Sequence, residues 1–553
     1  MSTERTGPDA PVRALPAVAL LAGLPLLAAA VLLGLAGVNA ALVLGSDRFH
    51  PWMVKLWLLS AVVGYPVLRV VLLARRPRPA AAAGPALSRE AQPALWARVD
   101  AVAAAAGVRG PAELRLVPEP RLAVVERTAL LGLLPGRRTL LLGAPLLLGL
   151  SAAELDALLA RELGRFAGNG VRLGPVVLSG HDAVGQVVAA LHLRADRHRA
   201  AEAGEIAEEN AYRVASGRPA RAEDPGRGGV EGVLARLFGA YARLYGRVSA
   251  RVRERQEYAA DRLAAELAGR DTAVAALGRA DALAPLHAHY LEQYVGMGLE
   301  ADLLPLPGQV VGGFAHLLAA PRRAAELDEA VRRLPRRTDE DEDEDEGPGA
   351  PPSLHRRLAA LLARPDAPAR LDPPPPGPAA ALLADAERQF TDLEAAVPAP
   401  GGARRVDWPE LVDGTLRARE RGKAQPVLRA LTGTGRPGTV EALLDVLDAG
   451  RGEEIARLLP RSERAAAATG RAAREFRRPL LREALRSLTM LALYARGAAR
   501  WEASWSGPAF LVLPGGTAER LPGALDAAVA DTPDSAPLRA LLAEAAASAA
   551  TPA

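Results

Sequence analysis

The chain has 553 residues, room for two or three domains, and a formal net charge of only +4 from 68 basic and 64 acidic residues. It contains no cysteine, which excludes disulfides and thiolate metal sites. No basic stripe with interleaved aromatics occurs, so nucleic acid is not an expected partner. Lysine occurs only at Lys55 and Lys423, and arginine carries almost all the positive charge. With heavy use of Ala, Gly and Pro, this is the composition of a GC-rich bacterial genome, so alanine alone argues only weakly for helix.

Two apolar runs open the chain. Ala14 to Leu44 is uncharged and exceeds the roughly 20 residues that a bilayer span needs. Trp52 to Leu73 is a second span, with Lys55 and Arg69 near its ends where long side chains can snorkel. The first run is too long for a signal-peptide core and is followed at once by the second, so a two-helix anchor over residues 1–80 is expected. Arg5 and Arg13 precede it and Arg75, Arg76 and Arg78 follow it, whereas the connector Gly45 to Pro51 has only Arg48. By the positive-inside rule both termini and the soluble parts face the cytoplasm of a bacterial cell.

Pro77 to Pro85 reads as a linker. Glu113-Leu-Arg-Leu-Val117 alternates like a short strand, and Arg138-Thr-Leu-Leu-Leu-Gly143 follows a Pro135-Gly136 turn. Helical runs dominate from Ser151 to about Val331. Ser151-Ala-Ala-Glu154 is a capping box: hydroxyl and carboxylate satisfy the free amides of a helix start. The helix it opens carries Arg161-Glu162-Leu163-Gly164-Arg165. With histidine at 161 and 165 this would be HELGH, two imidazoles on one helix face able to hold zinc, with Glu162 as general base. Guanidiniums have no acceptor lone pair and cannot ligate a metal.

Val171 to Leu193 is moderately apolar but holds Arg172, His181 and Asp182, and reads as a core or membrane-surface helix rather than a third span. A further helical run, Arg251 to Leu267, places Glu257 and Asp261 on one face. Asp339 to Glu346 is an acidic run within an expected disordered loop, 337–349, and lacks calcium-loop spacing. Pro373 to Pro376 marks another break. From Gly401 to the end a separate module of short helices is expected, with Trp408, Trp501, Trp505 and a strand near Phe510 to Leu513. Its Gly433-Thr-Gly-Arg-Pro-Gly438 segment lacks the Gly-Lys-Ser/Thr ending of a phosphate loop.

Paired apolar runs, the degenerate Arg161-Glu-Leu-Gly-Arg165 and Glu257-Tyr-Ala-Ala-Asp261 together resemble the HtpX and CAAX-prenyl-protease type of membrane metallopeptidase, metallopeptidase family forty-eight. The resemblance covers roughly residues 15 to 395. It implies a mainly α fold with a small β-sheet, gluzincin-like, over 85–395, behind the transmembrane hairpin (about 14–44 and 52–73), with 401–553 as a helical C-terminal module. In that family Glu162 matches the general base, Glu257 the third zinc ligand and Asp261 a motif position. Arg161 and Arg165 stand where the two histidine ligands would be. Other departures surround the site: Gly168-Asn169-Gly170 after the helix, Arg121-Leu122-Ala123-Val124-Val125 at the edge strand, and Ala350-Pro351-Pro352 where the family has His-Pro-Pro, ahead of Arg356-Arg357-Leu358.

One carboxylate cannot hold catalytic zinc, which takes three protein ligands and an open water position. Of the eight histidines, only His181 is placed to be recruited; His287 and His289, two apart on a helix, point to nearly opposite sides. The expectation is a pseudopeptidase without cofactor, in contact with the lipid bilayer and binding membrane or unfolded protein segments. An active zinc endopeptidase with non-standard ligands, and a structural membrane protein acting through its C-terminal module, are the alternatives. The two arginines imply charge replacement: at least one guanidinium within about 4 Å of Glu257 or Asp261, while Arg253 serves as an exposed reference.

Overall fold

The computed structural model describes residues 84–126, 136–167, 229–334, 352–396, 402–460 and 470–549 continuously, with scattered positions between 19 and 60 and between 177 and 219. The fold is mainly helical with small sheets. Among the described residues no helix is long and apolar enough to cross a membrane, and much of both N-terminal runs lies outside them. His181, Asn169, the acidic run and Ala350-Pro351 also lie outside the described residues.

The chain divides into two compact units, and the division is interleaved. The first comprises Met1–Pro285 and Ala325–Val397; the second takes Leu286–Ala324 together with Pro398–Ala553. The sequence suggested contiguous blocks meeting near residue 400. A contiguous reading misses the segment 286–324 because its helical pattern continues that of its neighbours, and only pairing assigns it.

In the first unit, α1 (Pro93–Ala105) precedes a three-stranded sheet of β1 (Glu113–Val117), β2 (Leu122–Glu126) and β3 (Arg138–Gly143). The spatial order is β1-β3-β2, with β1 parallel and β2 antiparallel to β3. Central β3 is the most buried strand of this sheet, and Leu140, Leu141 and Leu142 are fully buried. The outer side of β1 is covered, since Leu87 N–H donates to the Leu114 carbonyl at 2.9 Å and Leu116 N–H to that of Pro85 at 3.1 Å. At the other edge, Gly143 N–H donates to Arg121 C=O at 2.8 Å. Antiparallel alternation then turns Ala123 and Val125 toward β3, and the backbone groups of Leu122 and Val124 outward.

After β3 come α2 (Ala144–Gly149) and α3 (Ala152–Gly164). The expected capping box is formed: Ser151 Oγ accepts from Glu154 N–H at 3.2 Å, and Glu154 accepts from Ser151 N–H at 2.8 Å. α3 lies against β2 and packs along α4 (Gly229–Ala268), a helix much longer than the 251–267 run foreseen. Gly164 permits a close approach, as a Cβ there would meet Leu263 at 2.9 Å. α5 (Arg270–Tyr290) follows, of which the part up to Pro285 belongs to this unit, then α6 (Leu354–Leu362) and α7 (Ala386–Ala395). Arg279 ties α5 to the capping-box Glu154 at 3.2 Å.

The second unit is not built of short helices alone. α8 (Trp408–Gly433) and α9 (Gly470–Ala495) have 26 residues each. They pack together around a core that includes Leu431, Leu443, Leu485, Leu493 and Leu525. β4 (Leu303–Pro305) pairs in parallel with β5 (Arg404–Val406), which stitches the 286–324 segment into this unit. β6 (Arg500–Glu502) pairs with β7 (Phe510–Val512), at the strand position expected near Phe510.

Candidate functional site

The site lies where α3, α4 and α6 of the first unit converge. Arg161 and Glu162 occupy the last turn of α3, and Arg165 is its C-terminal cap. Glu257 and Asp261 sit one turn apart on α4. Arg357 is in the first turn of α6, whose start is capped by Ser353 Oγ accepting from Arg356 N–H at 3.4 Å.

Arg161 reaches three carboxylates at once. Its Nε donates to Asp261 Oδ1 at 3.0 Å, one Nη is bonded to Glu257 and the other to Glu162. Arg165 lies 3.2 Å from Glu257 and 3.4 Å from Glu162. Arg357 grips Asp261 with two donors, at 2.8 and 2.7 Å. Three guanidiniums thus face three carboxylates, a formal charge of zero within the group. The expected ion pair between the arginines of α3 and the acids of α4 is present.

The group is largely withdrawn from water. Asp261 is 1% exposed, and Glu162 and Glu257 are also buried. Burial works against the charged form of Arg161, but the nearby Glu162, Glu257 and Asp261 outweigh it and hold its pKa above the ordinary arginine value. The guanidinium stays charged at any working pH. Buried ions repay their desolvation only when their hydrogen bonds are met, and the fork of Arg161 meets them.

The end of α3 that carries the group is tied to the sheet. Arg138 of β3 pairs with Glu126 of β2 at 3.3 Å, and its guanidinium lies over the Phe166 ring at 4.3 Å, just beyond α3. That clamp fixes the end of α3 beside β2.

A zinc ion does not fit these residues. The positions that would supply two imidazoles carry guanidiniums without a lone pair. Glu257, at the third-ligand position, is engaged by Arg161 and Arg165. Among the described residues no three His, Asp or Glu side chains form a group able to hold a metal. His287 is buried against Phe314, in the second unit, while His289 is exposed.

Two sequence expectations change. Arg253 is not an exposed reference: it is 8% exposed on α4 and donates to the Gly246 carbonyl at 3.2 Å. It lies one turn before Glu257, on the inward side of α4, which a charged residue in a surface-like run conceals. Arg357, which in the sequence stands out only as part of Arg356-Arg357-Leu358, is the second holder of Asp261. Its signal was its place at the start of an amphipathic helix after Pro351-Pro352; its partner lies 96 residues away in sequence.

Comparison with known proteins adds nothing to what these residues say, since no family model, curated protein or solved structure matches the chain.

Proposed function

We propose that this chain is a membrane-anchored pseudopeptidase of the HtpX-like, gluzincin type, which binds protein segments and does not cleave them. The observation that carries the reading is Arg161, whose guanidinium occupies the centre of Glu162, Glu257 and Asp261. In the zinc peptidases it resembles, a dication would balance such acids. Arg161 and Arg165 supply two positive charges from the two histidine positions, and the carboxylates stay compensated. Glu162 then has no metal-bound water to deprotonate, and no Lewis acid polarises a carbonyl. The spacing of the acids on α4 and the capped helix α3 support the family likeness; the loss of imidazole ligands supports inactivity.

Binding has a surface to use. Among the described residues nothing pairs with the outward backbone groups of Leu122 and Val124. An open sheet edge takes up an extended segment by adding a strand. α3 flanks this edge, so a bound segment would run beside the arginine group.

The test is metal content and hydrolysis on the purified full chain. Dialysed protein should hold no stoichiometric zinc and leave casein and unfolded membrane proteins intact. About one zinc per chain, with hydrolysis abolished by Glu162→Gln, would overturn the proposal.

A further inference from the structure

The two N-terminal apolar runs meet at a polar contact. Asn39 Nδ2 donates to Ser60 Oγ at 3.0 Å and to the Leu35 carbonyl at 2.7 Å. Asn39 belongs to the first run and Ser60 to the second, on either side of the Gly45 to Pro51 connector. In the helical stretch 32–41 the half-buried positions are Leu32, Leu35 and Asn39. Spacing of i, i+3 and i+7 makes one seam on one helix face. Leu33, Val38 and Leu44 of the first run and Leu58 of the second are exposed.

This pattern is inverted relative to a helix pair in water: the amide and hydroxyl point inward and the leucines outward. In hydrocarbon that is the favourable arrangement, because an unpaired amide there costs several kcal/mol and an exposed leucine costs nothing. At about 1.5 Å per helical residue, the six residues from Asn39 to Gly45 correspond to about 9 Å and the eight from Trp52 to Ser60 to about 12 Å of a helical span. Both depths fall inside a hydrocarbon core of roughly 30 Å.

We propose that Asn39 and Ser60 form an intramembrane clasp that sets the register of a two-helix hairpin, with Leu33, Val38 and Leu58 turned to lipid acyl chains. The proposal rests on the membrane-anchor reading and adds to it a pairing and a lipid-facing side. A slip of one residue would carry the amide away from Ser60 and leave it only its bond to the Leu35 carbonyl in its own helix, so the contact with Ser60 favours one register.

The absence of cysteine from the chain makes the test direct. Asn39→Cys and Ser60→Cys are introduced together, with a protease site in the connector. Membranes are oxidised and cut, and the two fragments are followed on gels with and without reductant. The fragments should stay joined until reduced, at least tenfold more than in the control pair Val38→Cys with Ser60→Cys. A carbonate wash of the same membranes reports the anchor separately. Retention in the washed membrane with no more joining than the control would overturn the clasp and leave the anchor standing. Joining between copies instead of within one chain would also overturn it. Release by carbonate would overturn the anchor, and the clasp with it.

Discussion

Arg161 is the residue on which the site depends most. It contacts all three carboxylates, and its loss would leave Glu162, Glu257 and Asp261 close together with less compensation. Arg161→Ala should lower the unfolding free energy by about 3–5 kcal/mol, as when one partner of a buried pair is removed. Arg165 has a 28% exposed side chain, so Arg165→Ala should cost less. Arg333, with a 75% exposed side chain, replaces Arg253 as the surface reference, and Arg333→Ala should stay within about 0.5 kcal/mol. Urea denaturation of the detergent-solubilised chain ranks the three; equal losses for Arg161 and Arg333 would contradict a buried role. A restoration experiment tests the same geometry from the other side. Arg161→His with Arg165→His should recover about one zinc per chain by elemental analysis, with Glu257 as third ligand, while Arg357 keeps Asp261 in place. Failure to bind would mean that α3 and α4 do not present metallopeptidase geometry. A different residue governs acid sensitivity. Burial pushes the His287 pKa down to about 4 from about 6.5, against the edge of Phe314. The unfolded chain takes up that proton first as pH falls. This contribution is therefore full above pH 6.5 and is lost progressively toward pH 4, about 3 kcal/mol across the window. The stability-against-pH slope of His287→Leu should be flatter there than that of the parent chain.

At the scale of elements, β2 carries the binding proposal and β3 the support. Proline at 124 removes an N–H that points away from β3, whereas proline at 125 removes one that bonds to it. Val124→Pro should keep the fold and weaken capture of an extended peptide, measured by fluorescence anisotropy. Val125→Pro should lower the melting temperature. Loss of fold in both, or unchanged capture in the first, would count against strand addition at this edge. Gly143 closes β3 where the chain entering β2 crosses it. A Cβ there would lie 2.3 Å from the Glu119 carbonyl oxygen and 2.8 Å from Arg121 N, both backbone atoms. Gly143→Ala should cost about 1–3 kcal/mol, the usual range for overpacking. The strands β1 and β3 were legible from alternation and a Pro-Gly turn. The pairing order β1-β3-β2 was not, because it puts the sequence neighbours β1 and β2 on opposite sides of β3.

For the whole molecule, the arginine asymmetry across residues 1–78 predicts that both termini and the parts of the chain beyond the anchor face the cytoplasm. A C-terminal tag should be fully protected from protease in right-side-out vesicles and digested in inverted ones. Digestion from outside would reverse the orientation. The interleaved division also bears on truncation. A fragment ending near residue 400 would keep Leu286–Ala324 and lose β5, the partner of β4, so it should expose Leu303 and Leu304 and aggregate.

Local chemistry in the sequence determined the capping box at Ser151, the strands at 113–117 and 138–143, the shared helix faces of Arg161 with Arg165 and Glu257 with Asp261, and the inability of guanidiniums to bind zinc. Each follows from residues within a turn or two of one another. Tertiary structure alone decided that Arg161 satisfies three acids, that Arg357 completes the group and that Arg253 is buried. It also drew the segment 286–324 into the C-terminal unit. The physical reason is common to all four: a side chain's partner and burial are set by which helix packs on which, and a contact between α3, α4 and α6 spans about a hundred residues that periodicity cannot see across.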